Sequence, residues 1–347
     1  MTATTSGATR AQVNVSKLMT RISIALIAAA VLYWLGKNFV DDPKMFLSVG
    51  VTGLSNGALY ALIALGYTMV YGIIELINFA HGDLFMLGAV FSYFFLTSFL
   101  GAVGSTSRNW AMLGLTLILV MLFCGLLNVL IERLAYRKLR DAPKLAPLIT
   151  AVGVSFILQF IGLKWNGSAP RNFETVVPRD TWLVGGVIVP YRAVLVIGLT
   201  VPLLIILVTF INKTKMGKAM RATAQDKDAS RLMGIDVNKT IAMVFGIGGA
   251  LAGAAGLMFA QSLGNVAYNI GFQLGLIAFT SAVLGGVGNL NGAVLGGFLI
   301  GIIQGFNDGL PWSPGQKWSQ TVVFTILILL MVYRPAGLLG KATLEKV

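Results

Sequence analysis

Long apolar runs separated by short polar segments recur along almost the whole chain, and they constrain its fold more than any other feature. Hydrophobic residues make up 56% of the 347 residues and charged residues only 11%, whereas a typical soluble domain has about 25% charged residues. A single water-soluble core cannot enclose so much apolar surface. The sequence therefore predicts an integral membrane protein.

The apolar runs also predict the number of membrane spans. A helix needs about 20 apolar residues to cross a bilayer. Runs of this kind lie at residues 22–39, 46–71, 84–100, 110–131, 145–164, 191–211, 240–262, 272–288, 292–309 and 319–334. Three of them (84–100, 272–288 and 292–309) are short or interrupted by glycine, so some helices are expected to be broken or re-entrant. The expected fold class is an all-α polytopic integral membrane protein with about eight to ten transmembrane helices.

The distribution of Lys and Arg predicts the orientation. Segment 132–144 has five basic and two acidic residues, and segment 213–239 has seven basic and three acidic residues. Cytoplasmic loops carry such a basic excess, so both segments are predicted to be cytoplasmic. With ten spans, both termini are cytoplasmic as well. Residues 1–21 would form a tail ahead of an extra first span, and residues 341–347 a second short tail.

Segment 213–239 is expected to fold into two short helices. Thr214 is predicted to cap the first helix and Asp226 the second, and Gly234 stands where a left-handed residue would end the second. The second helix would have an apolar side formed by Ala229, Leu232 and Met233. From spacing alone, the ordinary interpretation is a solvated loop whose positive charge fixes the orientation. The alternative is a docking surface for a second protein.

The chain lacks the residues that several kinds of chemistry need. Cys124 is the only cysteine and His81 the only histidine, which excludes an intrachain disulfide, a cysteine cluster and a multi-histidine metal site. No G-x-x-x-x-G-K-[ST] phosphate-binding loop occurs, so the chain is not itself a P-loop ATPase. The net charge of +13 fits basic loops between spans better than a nucleic-acid surface, because no nucleic-acid motif accompanies it. No cofactor is expected.

The one unusual polar cluster between two spans is ELINFAHGD, at residues 75–83. Ionisable groups at membrane depth are costly and commonly functional, so Asn78, His81 and Asp83 are candidates for lining a substrate path. Alternatively they brace a broken helix, with Asp83 capping a helix that begins at Leu84, or they form an interfacial turn in contact with water. A catalytic role for His81 has no support, since no nucleophile or second base lies near it in sequence.

Two further patterns concern architecture. The longest predicted external stretch, 165–190, has short β-prone runs around Pro178 and the Gly185–Gly186 pair, and it either contacts an external partner or only connects two spans.

Small residues let helix backbones approach closely in lipid. Glycines form such stripes at Gly246, Gly249, Gly253 and Gly256, and at Gly285, Gly286, Gly288, Gly292, Gly296, Gly297 and Gly301.

Several long motifs resemble one family of membrane proteins. They are GLSNGALYALIALGYTMVYGIIELINFAHGDLFMLGA at 53–89, IERLAYRKLRDAPKLAPLITAVGVSFILQ at 131–159, MGKAMRATAQDKDASRLMGID at 216–236, FTSAVLGGVGNLNGAVLGGFLIG at 279–301 and PAGLLG at 335–340. In these motifs the chain closely resembles the permeases of high-affinity branched-chain amino acid ABC importers of the LivH type, in the branched-chain amino acid/urea permease family. The resemblance covers about residues 46–347.

The resemblance implies an ABC importer permease fold over residues 46–340 and transport of Leu, Ile or Val across a bacterial inner membrane. It implies two cytoplasmic ABC ATPase subunits, a second related permease and a periplasmic substrate-binding protein as partners. The chain would be a transport subunit and not an enzyme. Segment 213–239 would then receive the ATPases through a set of coupling residues. These are Met216, Gly217, Lys218, Arg221, Asp226, Arg231 and Gly234.

Other functions stay open on the residues alone. Permeases for urea, amides or other amino acids share these motifs, so the substrate is not fixed. An ion-coupled secondary transporter or channel would use Glu75, His81 and Asp83, and an intramembrane enzyme would use His81. Neither of these two classes has a motif here.

Overall fold

In its described residues, the chain folds into a bundle of α-helices with two small two-stranded sheets. The computed structural model describes residues 22, 26, 29–75, 78–102, 104–140, 142–143, 145–173 and 175–340. Within them, a helical segment at 29–41 precedes eleven helices. These are α1 Pro43–Ile74, α2 Ala80–Tyr93, α3 Ser107–Ile131, α4 Leu145–Asn166, α5 Tyr191–Lys213, α6 Lys215–Gln225, α7 Lys227–Leu232, α8 Val237–Leu263, α9 Ile270–Gly285, α10 Leu290–Gly309 and α11 Ser319–Tyr333.

Short irregular turns and strands complete these elements. A π-helical turn Phe94–Phe99 extends α2, a π-helical turn Glu132–Tyr136 and a 3₁₀ turn Arg137–Leu139 extend α3, and a 3₁₀ turn Gln316–Trp318 leads into α11. The strands are β1 Arg171–Asn172, β2 Thr181–Val184, β3 Val187–Pro190 and β4 Asn265–Val266. β1 pairs antiparallel with β4, and β2 pairs antiparallel with β3.

Eight helical stretches in the described ranges are long and apolar enough to cross a membrane. They are Pro43–Ile74, Ala80–Phe99, Ser107–Leu139, Leu145–Asn166, Tyr191–Lys213, Val237–Leu263, Leu290–Gly309 and Gln316–Tyr333. Each overlaps a predicted span, so the predicted fold class is confirmed. The predicted span at 272–288 corresponds to α9, which has only 16 residues and is shorter than a full crossing requires. The predicted first span at 22–39 lies partly, and the tails at 1–21 and 341–347 wholly, outside the described residues.

Contacts between connecting segments define two ends of the bundle. At the hairpin end, the backbone N–H of Ile188 in the β2–β3 hairpin donates to Ser48 Oγ near the start of α1 (2.9 Å). The β-prone runs around the Gly185–Gly186 pair form β2 and β3, and the two glycines make the turn between them with φ of +61° and +85°. At the opposite end, which we call the α6–α7 end, Arg140 donates to Asn238 Oδ1 at the start of α8 (2.7 Å).

Facing glycines bring α1 and α10 into close contact. A Cβ added at Gly305 would lie 2.6 Å from the Cα of Gly53, and one added at Gly57 would lie 2.8 Å from the Cα of Phe298. Lipid tails are as apolar as leucine side chains, so helices in a bilayer associate through tight van der Waals packing rather than through the hydrophobic effect. Part of the predicted second glycine stripe, at Gly301 and its neighbours, serves this contact.

The first glycine stripe lies on α8, where it faces α2 and α3. A Cβ added at Gly253 would lie 2.8 Å from Val120 O and 3.0 Å from Cys124 Sγ. Asn128 on α3 also donates to the Phe245 carbonyl on α8 at 2.7 Å. Cys124 is fully buried in this contact. Helix α8 is therefore a central packing element of the bundle.

The junction between α9 and α10 is closed by the segment before the C-terminal tail. The backbone N–H of Leu338 donates to Leu284 O (2.8 Å), and that of Leu339 donates to Gly285 O (3.0 Å). These bonds satisfy carbonyl groups that the end of a helix leaves without a partner. Gly286 allows the turn because its φ is +107°. The PAGLLG motif at 335–340 thus has a packing role.

The start of α2 differs from the prediction. The helix begins at Ala80, with Phe79 at the N-cap position and no side-chain cap. The proposed cap of a helix beginning at Leu84 by Asp83 is therefore wrong. Glu75 ends α1 in a left-handed conformation with φ of 58°, and α2 begins four residues before Leu84. Asp83 lies in the first turn of α2, where the helix dipole favours a negative charge.

Replacing Gly253 with Leu is expected to destabilise the bundle, because the side chain would overlap the α3 backbone. Overpacking of this kind costs about 1–3 kcal/mol. Thermal unfolding of the purified protein in detergent should show a lower Tm. Gly114→Leu is the matched control, since a Cβ there has no heavy atom within 4 Å and its Tm should be unchanged. An equal Tm for the two variants would contradict the proposed role of the glycine stripe.

Candidate functional site

The junction between α5 and α6 is a fixed elbow. Thr214 Oγ1 donates to the Phe210 carbonyl (2.6 Å) and accepts from the Gly217 backbone N–H (3.0 Å). The Arg221 guanidinium donates to the Ile211 carbonyl at the end of α5. One hydroxyl therefore closes α5 and caps α6, as predicted for Thr214. Arg221 ties the second turn of α6 to the same helix end.

Helix α7 has the predicted cap at each end. Asp226 Oδ1 accepts from the backbone N–H groups of Asp228 and Ala229, both at 2.9 Å. Gly234 is left-handed, with φ of +79°, and the N–H of Ile235 bonds to the Ser230 carbonyl at 3.0 Å. This geometry closes the C-terminus of the helix. The predicted helix–turn–helix in segment 213–239 is confirmed.

Helix α6 is packed against the bundle and is not a solvated loop. Gly217, Met220 and Thr223 are buried on its inner side, and the helix contacts α1, α5 and α8. Its outer side is charged, with Lys215, Lys218 and Arg221 exposed. A force applied to α6 would therefore reach three spanning helices through direct contacts.

The predicted coupling residues fall into two groups. Met216 is partly buried against the core and Gly217 lies against the end of α5, and Arg221, although exposed, is bonded to the same helix end. The remaining four are exposed at the surface of the α6–α7 end. These are Lys218, Asp226, Arg231 and Gly234.

The most prominent feature of this surface is apolar. Leu232 and Met233, at the end of α7, are 89% and 83% exposed. Large apolar side chains in such a position are typical of contact sites for another protein when polar groups surround them. The polar surroundings include the Arg231–Asp228 ion pair at 3.1 Å. The α6–α7 end thus presents an apolar tip within a basic surface.

A buried ion-pair cluster lies next to this surface, and the sequence did not reveal it. Glu132 is fully buried and pairs with Arg137 (3.2 Å) and with Arg140, and Arg140 also reaches Asn238. Burial lowers the pKa of Arg140 from its ordinary value, and the Glu132 carboxylate opposes this shift. The partners lie five and eight residues after Glu132, and these are not the helical spacings that mark ion pairs in a sequence.

Asn78 and His81 lie inside the protein. Asn78 is 4% exposed and accepts a hydrogen bond from the Tyr136 hydroxyl (2.8 Å). His81 is fully buried, with its ring edge-on to Tyr67 at 4.7 Å between centroids. The described residues contain no group of three or more His, Cys, Asp or Glu side chains that could hold a metal ion.

Asp83 links α2 to α4. Its Oδ2 accepts a hydrogen bond from Ser155 Oγ (2.5 Å), and Gln159 Nε2 donates to the same hydroxyl (3.1 Å). The residue is fully buried. Of the predicted pathway residues, Asn78 and Asp83 therefore make contacts between helices, to Tyr136 after α3 and to Ser155 on α4. Their role in a substrate path stays a prediction.

These features together define a class of protein. A bundle with eight apolar helical stretches of spanning length among its described residues, and with an exposed basic helix–turn–helix at one end, is a polytopic helical membrane protein. A family model described as "Branched-chain amino acid transport system / permease component" matches residues 50–332. The chain belongs to this family.

Three relatives cover most of the chain. The "High-affinity branched-chain amino acid transport system permease protein BraD" of Pseudomonas aeruginosa is 38% identical over 306 residues, covering 87% of this chain and 98% of that protein. The corresponding LivH proteins of Salmonella typhimurium and Escherichia coli K12 are 36% and 35% identical over 308 residues, with the same coverage. No solved structure matches the chain. The resemblance seen in the sequence motifs is confirmed.

Substituting Glu132 with Gln is expected to destabilise the α6–α7 end, because Arg140 would be left buried without its charge partner. Breaking one side of a buried ion pair costs about 3–5 kcal/mol. The Tm of the purified variant should fall, and limited proteolysis should cleave near residues 132–140 more rapidly. The matched control is Asp228→Asn, which breaks an exposed pair of small energy. A Glu132→Gln variant as stable as this control would show that the cluster does not hold the segment.

Proposed function

We propose that this chain is the transmembrane permease subunit of an ABC importer for the branched-chain amino acids Leu, Ile and Val, in a bacterial inner membrane. The observation that carries this proposal is the match along nearly the whole chain to permeases of that transport system. The capped, packed and partly apolar helix–turn–helix supports it, because a subunit driven by a separate motor needs a firm contact surface.

The proposed mechanism separates the motor from the conduit. Two cytoplasmic ABC ATPase subunits bind the α6–α7 end, and ATP binding brings them together. Lys218 and Arg231 provide basic contacts there, and Leu232 and Met233 enter an apolar depression on the ATPase. The elbow at Thr214 and Arg221 transmits the motion to α5. The chain itself hydrolyses no nucleotide, needs no cofactor and is not an enzyme.

The proposal includes two further protein partners. A second, related permease packs beside this chain within the lipid, and a periplasmic substrate-binding protein delivers the amino acid at the hairpin end. Loop 165–190 belongs to the surface that this protein approaches. Asn78, His81 and Asp83 brace the helices that move, in agreement with their buried contacts to Tyr136, Tyr67 and Ser155. Residues 46–340 form the permease domain, after an extra first span and a cytoplasmic tail.

Charge reversal at Lys218 is expected to weaken association with the ATPase subunits and to lower ATP-driven leucine uptake by about tenfold or more, since like charges now meet at the contact. Co-purification from native membranes and uptake into proteoliposomes measure the two effects. Lys164→Glu, the same change at the hairpin end, is the control and should keep the ATPases bound. Arg221 is a poor test, because its guanidinium also holds the α5–α6 elbow. Unchanged co-purification of Lys218→Glu would count against the proposed contact.

Replacing the apolar tip is a separate test of the same contact. The double variant Leu232→Ser, Met233→Ser removes two exposed side chains, so the free protein should keep its Tm while ATPase binding falls. Exposed surface changes usually alter stability by less than about 0.5 kcal/mol. If ATPase binding persists at full strength, the tip is not part of the contact.

The orientation is tested by the accessibility of single cysteines. The one native thiol, Cys124, is buried, so cysteines introduced at Met233 or at Trp312 can be followed in its presence. A membrane-impermeant maleimide applied to intact spheroplasts should label Trp312→Cys and not Met233→Cys. Disruption of the membrane should make both react. The opposite pattern would reverse the proposed orientation.

A further inference from the structure

A polar cavity of about 500 Å³ opens at the hairpin end of the bundle. It lies between the outer parts of α1, α8, α9 and α10 and the start of α11. Specific small-molecule sites typically have volumes of about 300–1,000 Å³, with apolar walls and a few placed polar groups. Polar side chains line it from Asn56, Tyr60, Gln273, Gln304, Asp308, Gln316, Lys317, Ser319 and Gln320.

The polar side of the cavity is built by hydrogen bonds between helices. Tyr60 Oη on α1 donates to Gln304 Oε1 on α10 at 2.6 Å. At the end of α10, Asp308 Oδ1 accepts from Asn307 Nδ2 (3.0 Å) and from the Ser319 hydroxyl. These bonds fix the position of the Asp308 carboxylate relative to α11. Tyr60 is almost fully buried, so the cavity reaches into the bundle.

The two charges that line the cavity are not paired with each other. Asp308 and Lys317 are both exposed to it, and no ion pair joins them among the described side chains. Within the same part of the chain, the Lys317 side chain makes no hydrogen bond or ion pair. The second oxygen of the Asp308 carboxylate, which does not bond Asn307 or Ser319, and the Lys317 ammonium group thus remain available to a ligand with two opposite charges.

The remaining wall is apolar. It comes from Phe259 and Leu263 on α8 and from Ile270, Leu274 and Ile277 on α9. An amino acid with a branched aliphatic side chain has the matching features: an α-ammonium group, an α-carboxylate and an apolar chain. Urea and neutral amides have neither charge, so they match this lining less well.

We infer that this cavity is an outer binding site for the zwitterion of a branched-chain amino acid. The inference rests on the proposed function and adds a site to it. Asp308 accepts hydrogen bonds from the α-ammonium group, Lys317 pairs with the α-carboxylate, and the α8–α9 wall contacts the aliphatic side chain. The site receives the amino acid as it leaves the binding protein and before it passes between the helices.

The test measures binding of three compounds to the purified chain in lipid nanodiscs, by saturation-transfer NMR of their methyl groups. They are leucine, 3-methylbutylamine (leucine without the carboxylate) and 4-methylpentanoate (leucine without the ammonium group). Native protein should prefer leucine to either analogue by about tenfold, because each charge-assisted hydrogen bond contributes about that much. In Lys317→Gln the preference over the amine should disappear. In Asp308→Asn the preference over the carboxylate compound should disappear.

Lys317→Gln should keep the preference for leucine over 4-methylpentanoate, and Asp308→Asn should keep the preference for leucine over 3-methylbutylamine. Because each preference compares two compounds on the same variant, a small loss of folded protein does not change it. Arg108→Gln and Asp180→Asn are control substitutions of exposed charges outside the cavity lining, and they should keep both preferences. If Lys317→Gln and Asp308→Asn also keep both preferences, the inference is overturned. Equal binding of all three compounds to the native chain would overturn it as well.

A second measurement separates this inference from the proposed function. The complete importer is reconstituted with its ATPases and binding protein, and ATP-driven leucine uptake and binding-protein association are measured. Uptake by the native importer supports the proposed function, and its absence contradicts that function whatever the NMR shows. Uptake that falls in both cavity variants with unchanged binding-protein association supports the inference. Lost association would instead assign Asp308 and Lys317 to protein docking and overturn the inference.

Discussion

Close approach of helix backbones in lipid is the constraint on which the rest of the structure depends. Apolar side chains gain little by leaving lipid for a helix interface, so stability must come from dense packing and from hydrogen bonds between helices. Glycines along α8 and α10 allow that packing against α1, α2 and α3. The Asn128–Phe245 bond adds a polar contact in the same region. In a bundle joined in this way, neighbouring helices are in direct backbone contact, so we expect a displacement of one to be passed to the next.

The α6–α7 end is held to this bundle by a small set of local contacts. Helix α6 is short and its polar face is exposed, so its own helical propensity would not keep it formed in isolation. It is stabilised by the Thr214 cap, by Arg221 on the Ile211 carbonyl and by burial of Met220. The Glu132 cluster fixes the neighbouring segment to the start of α8. A displacement of this surface is therefore shared by α3, α5 and α8.

Local features of the structure could be predicted from the sequence, and distant contacts could not. The caps at Thr214, Asp226 and Gly234 depend on residues within a few positions of one another, so their pattern was sufficient. Eight of the ten predicted spans followed from hydropathy. By contrast, the Asp83–Ser155 bond joins residues 72 positions apart, and the Glu132 cluster forms where α3 continues as a π turn. The predicted Asp83 cap was wrong because α2 begins at Ala80, which places Asp83 inside the first turn of the helix rather than before it.

Charged side chains make different contacts at the two ends of the bundle. At the α6–α7 end, several charged side chains are engaged within the chain, as in the pairs of Glu132 and of Arg231 and the caps formed by Asp226 and Asp236. These contacts fix the positions of the charged side chains on that surface. At the hairpin end, the Lys317 side chain has no partner among the described residues, and the Asp308 carboxylate borders a cavity while only its Oδ1 accepts from Asn307 and Ser319. Charged groups beside an apolar wall, with hydrogen-bonding capacity left over, can bind a small charged ligand. The chain thus combines a rigid end suited to a lasting protein contact with an open end suited to a small and transient ligand.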